Sequence, residues 1–65
     1  METSNRPGVK QYKVIWRKIG EEVGTVVCLT NDLKKAYEYA RNKLPNEKEA
    51  LVYNGDVLEY QGIKA

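Results

Sequence analysis

Thr30-Asn31-Asp32-Leu33-Lys34-Lys35-Ala36-Tyr37-Glu38-Tyr39-Ala40-Arg41-Asn42-Lys43-Leu44-Pro45 is the stretch that decides the fold. Leu33, Ala36, Tyr37, Ala40 and Leu44 fall at i, i+3, i+4, i+7 and i+11. That spacing lines one stripe of an α-helix. Thr30, Asn31 and Asp32 are all residue types that cap a helix N-terminus, and Pro45 cannot extend one. The stretch therefore predicts a single amphipathic helix. One helix can cover only one face of a sheet, so the flanking segments matter next.

On the N-terminal side, Tyr12, Val14 and Trp16 alternate with Lys13, Ile15 and Arg17. Alternation of aromatic and β-branched residues predicts a half-buried strand. Gly20, Glu21 and Glu22 form a polar turn, and Val23 to Thr30 is a second strand rich in Val and Thr. A loop centred on Glu21 and Glu22 sets Trp16 opposite Val27 and Val14 opposite Leu29. Ile15 then faces Cys28, and Arg17 faces Val26, on the other side. This register yields one clearly apolar face and requires Trp16 to be largely buried; a one-residue slip would mix the faces.

On the C-terminal side, Ala50 to Tyr53 is a short third strand and Asp56 to Tyr60 a fourth. Asn54-Gly55 between them is a two-residue type I′ turn signal. The expected register pairs Leu51 with Leu58 and Val52 with Val57. The result is a single small α+β domain in β-β-α-β-β order, with the helix packed on one face of a mostly antiparallel four-stranded sheet. Residues 1–8 read as a flexible tail, 9–61 as the domain and 62–65 as a fraying C-terminus. The succession of elements from Tyr12 to Tyr60 is loosely similar to ubiquitin-like β-grasp modules. No conjugation chemistry is carried over, because the chain ends Gln61-Gly62-Ile63-Lys64-Ala65 without a di-glycine.

The chain of 65 residues carries 11 Lys plus Arg against 9 Asp plus Glu. Lys10, Lys13, Arg17 and Lys18 lie close together with no acid among them, so any basic patch belongs to the first strand. There is one cysteine, and no apolar run marks a signal peptide or a membrane span. A cytoplasmic location is the expectation. A chain this small also gains from any further burial, including self-association.

Chemistry is sparse. There is no histidine, which removes the commonest general base and metal ligand. Cys28 lies mid-strand among apolar neighbours and reads as a small core residue. Glu21 with Glu22, Glu47 with Glu49, and Asp56 with Glu59 do not converge as acid/base pairs or as a calcium loop. Gly20 and Gly24 do not form a phosphate-binding motif. No catalytic residue, cofactor or metal is expected, and the chain reads as non-enzymatic.

Two functions follow. The first is a protein-binding module, with a partner protein or a second copy on the sheet face that the helix leaves open. Lys13, Ile15, Arg17 and Val26 are the residues expected there, since a contiguous apolar patch on a small domain marks an interaction site. The second is a nucleic-acid-binding module. Lys10, Lys13, Arg17 and Lys18 would follow phosphates, and Tyr53 or Tyr60 would stack on bases.

Overall fold

The computed structural model of the protein describes residues 11–64. The tail expected over residues 1–8 lies outside them, as does Lys10. The strands are β1 (Tyr12–Lys18), β2 (Gly24–Thr30), β3 (Lys48–Asn54) and β4 (Val57–Lys64). They form one sheet in the order β2-β1-β3-β4, and every pairing is antiparallel. The order of elements is β-β-α-β-β, as the sequence predicts. The fully antiparallel sheet, with β1 beside β3, is not the mixed sheet of the β-grasp modules.

The helix is shorter than its signal. An α-helical segment, α1 (Leu33–Tyr37), continues directly as a π-helical turn over Glu38–Asn42. Asp32 is the N-cap: its carboxylate accepts the Lys34 amide at 3.0 Å, and the Thr30 hydroxyl accepts the Asp32 amide at 3.0 Å. At the far end the Lys43 amide donates to the Glu38 carbonyl, five residues back, at 3.0 Å. The Tyr39 carbonyl instead accepts the indole N–H of Trp16 at 3.0 Å. The wide turn thus coincides with a side-chain donor from β1 taking a helix carbonyl.

Both hairpins depart from their expected registers in the same way. Arg17 pairs with Gly24, so the first hairpin centres one residue earlier than expected, and within its loop the Glu21 amide donates to the Lys18 carbonyl. That change moves the pairing by two residues, an even shift that keeps every side chain on its face. Ile15 therefore faces Val26, and Arg17 faces Gly24. A bulge at Val27 then adds an odd shift. Val14 pairs with Cys28 and Lys13 with Leu29. Cys28 moves to the helix side, and Leu29 moves to the open face, the reverse of the expectation.

In the second hairpin Asn54 pairs with Val57, so Gly55 and Asp56 are the turn residues. Gly55 has φ +63°, while neither Asn54 nor Asp56 has a positive φ, which excludes the expected type I′ turn on Asn54-Gly55. A bulge at Glu59 follows. Val52 then pairs with Tyr60 and Leu51 with Gln61, not with Val57 and Leu58. The ladder continues to Lys64 opposite Lys48, so residues 62–64 of the end expected to fray are paired in β4, and Ala65 lies outside the described residues. Both bulges lie on the edge strands, where a local distortion leaves the central pairing intact.

The core sits between the helix and the two central strands. Val14 and Val52 face each other across β1 and β3, and both are fully buried. Ala36, Ala40, Ala50, Leu44 and Tyr12 close around them. Trp16 packs only partly against this core, at a centroid distance of 6.5 Å from Tyr39, so it is half-buried rather than largely buried. Tyr37 meets Tyr60 edge-on at 5.3 Å. Val52→Ala removes two methyl groups from a site with no exposure, and should cost about 2–3 kcal/mol in a denaturant titration. A smaller loss would mean that the helix settles into the space.

Candidate protein-binding face

The sheet face away from the helix is built in three rows, each running from β2 across β1 and β3 to β4. The first row is Leu29, Lys13, Tyr53 and Leu58. The second is Val26, Ile15, Leu51 and Gln61. The third is Gly24, Arg17, Glu49 and Ile63. All four residues expected on this face, Lys13, Ile15, Arg17 and Val26, are on it and next to one another.

No element covers this face among the described residues, yet its centre is not open. Leu51 is 4% exposed and Glu49 is 5% exposed. Arg17 and Gln61 hydrogen-bond the Glu49 carboxylate from either side, and Ile15 and Gln61 flank Leu51 across the strands. Gly24 leaves room for Ile15. A Cβ there would sit 2.7 Å from the Ile15 Cγ2 and 2.7 Å from the Trp16 carbonyl oxygen. The exposed apolar surface is therefore peripheral: Val26 and Leu29 toward β2, Leu58 and Ile63 toward β4. Ile15 and Tyr53, both half-buried, lie between the two groups.

Glu49 organises the charge. One carboxylate oxygen accepts the Arg17 Nε–H at 2.7 Å, and the other accepts the side-chain amide of Gln61. The hydrogen bond from Arg17, then that from Gln61, hold the Glu49 carboxyl below its ordinary value of 4.5. The same contact raises the Arg17 guanidinium further above its already high ordinary value. Lys13 is placed differently: its ammonium lies 5.9 Å from the centre of the Tyr53 ring.

The described residues of the nucleic-acid reading are divided between the two faces. Lys13, Arg17 and Tyr53 share the open face, but Arg17 is already committed to Glu49. Tyr60 is on the helix side, against Tyr37. Lys18 also belongs to the helix-side row, opposite Lys48. Cys28, free and half-buried, packs against the core from that same side. Leu29, Glu49 and Ile63 were not legible as site residues. Leu29 required the bulge at Val27, and Glu49 required the central β1–β3 pairing.

Among the described residues no three His, Cys, Asp or Glu side chains gather as a metal site, and no helix is long and apolar enough to cross a membrane. No family model, curated protein or solved structure matches the chain.

Because Glu49 is lowered in the folded state, its contribution to stability is fully present above about pH 4.5 and is lost as pH falls through the lowered folded value. Urea titrations at neutral pH and at about pH 3 should show the wild type losing more stability on acidification than Glu49→Gln. Equal losses would mean that the clamp contributes nothing to folding. Gly24→Ala should destabilise by about 1–3 kcal/mol, since the new methyl meets backbone as well as Ile15.

Proposed function

We propose that the chain is a non-catalytic protein-binding module whose partner, another protein or a second copy of the chain, docks on the open sheet face. The observation that carries this reading is the set of exposed apolar side chains on that face. Val26 and Leu29 flank Ile15 on one side, and Leu58 flanks Tyr53 on the other. Burying such side chains contributes roughly 25 cal/mol per Å², and apolar patches rimmed by polar residues mark association surfaces. The rim here is Lys13 at one end and the Arg17–Glu49–Gln61 clamp at the other.

The lack of histidine and the half-buried setting of Cys28 support a role without catalysis. A cytoplasmic setting belongs to the same proposal, since the sequence has a single cysteine and the fold needs no disulfide. Nucleic-acid binding is the competing reading, supported only by Lys13 beside Tyr53 on the open face.

Affinity capture from extract of the native cell tests this, with the wild type and an Ile15→Lys/Val26→Lys double variant as baits, each with and without nuclease. Sedimentation of the purified chain runs alongside. A defined protein held by the wild type, lost by the double variant and indifferent to nuclease is the expected result. Concentration-dependent dimerisation abolished by the double variant is the equivalent result for self-association. Retention of the same partners by both baits would remove the open face from the proposal. Recovery that depends on nucleic acid would replace it.

A further inference from the structure

The edge of β4 carries a second pattern that the open face does not use. Lys18, Lys48 and Lys64 face one another across β1, β3 and β4, on the helix side of the sheet. Adjacent strands are about 4.8 Å apart, so the three lysines stand side by side in one cross-strand row. Like charges directly opposite one another on a sheet are destabilising. Among the described residues no carboxylate pairs with any of the three. The row stops at Lys64 because β4 is the last strand.

Among the described residues no strand pairs with the outer edge of β4. β4 is the longest strand, with eight residues, and no described element lies beyond it. The other edge strand, β2, is interrupted midway by the bulge at Val27. The bulge in β4 is close to its turn, at Glu59, which leaves Tyr60–Lys64 as a regular run. Within that run Ile63, 60% exposed, projects on the open side, and Lys64 projects on the other.

We propose that β4 accepts a fifth strand from a partner protein: an extended acidic segment with a carboxylate opposite Lys64 and an apolar side chain opposite Ile63. Backbone pairing supplies the affinity of such strand addition, and alternate side chains supply the selectivity. The carboxylate continues the lysine row with the opposite charge. The apolar residue extends the third row of the open face beyond Ile63.

The test uses the whole chain, isotopically labelled, with a capped six-residue peptide of alternating glutamate and valine. A lysine–valine peptide of the same length is the control, and a short oligothymidine is the competitor. The expected result at low salt is amide shifts and slowed exchange confined to Tyr60–Lys64 with the acidic peptide, weakened at about 0.5 M salt. Lys64→Glu, checked for an unchanged fold by circular dichroism, should bind the acidic peptide roughly tenfold more weakly and prefer the basic one.

No perturbation of β4 by either peptide overturns the proposal. So does tighter binding of the oligothymidine through the lysines without protection of β4, or protection of β4 by self-association in the absence of peptide. The Ile15→Lys/Val26→Lys variant lies on β1 and β2 and should bind the acidic peptide normally. If it loses its cellular partner while β4 ignores the peptide, the open-face reading survives and the fifth strand does not.

Discussion

Val14 facing Val52 across the two central strands is the contact on which the rest of the architecture depends. Both side chains are fully buried, and the helix rests on them through Ala36 and Ala40. Alanine at those positions brings the helix backbone close to the sheet, which is what seals a core built from so few residues. The close approach also puts the Tyr39 carbonyl within reach of the Trp16 indole. The π-helical turn is thus tied to the same packing. The distortions at Val27 and Glu59 are kept to the outer strands, where they do not disturb this centre.

Much of the fold is written in simple periodicities. The stripe from Leu33 to Leu44 places the helix, and the alternation from Tyr12 to Arg17 assigns the faces of β1 correctly. What periodicity does not show is a single inserted residue. One extra residue at Val27 exchanged the faces of Cys28 and Leu29, and one at Glu59 put Tyr60 beside Val52. A bulge depends on twist and cross-strand packing, neither of which leaves a local composition signal. The helix failed to remain α-helical for a similar reason: the competing donor, Trp16, comes from a strand far away in sequence. Lys13, Ile15, Arg17 and Val26 lie on the open face as expected, because β1 is regular and the shift at the first turn is even. The β3 and β4 contributions, Glu49 above all, required knowledge of which strands are neighbours.

The two exposed regions of the sheet differ in character. On the open face, charge is internally balanced where it matters: Glu49 takes both Arg17 and Gln61, leaving apolar side chains at the margins to make contacts. At the outer end of β4, charge is unbalanced, with lysine following lysine across three strands. A surface of the first kind rewards shape and burial and is little affected by salt. One of the second kind favours opposite charge and is screened as salt rises. On the proposed reading, the division gives a 65-residue chain two distinct means of contact without any change in the core.

The strand order β2-β1-β3-β4 has a consequence for how the chain reaches this state. Each half contributes one outer and one inner strand joined by a short turn, so both hairpins are local and quick to form. The decisive pairing, Val14 with Val52, joins residues 38 positions apart. Closing that loop costs entropy before any core is gained, and non-local pairing of this kind sets the pace of folding in small domains. The helix between the halves shortens the distance to be searched, and it brings the alanines that the new pair will be buried under. Docking of the two hairpins, with the helix as the hinge between them, is therefore the step at which the chain commits to being folded.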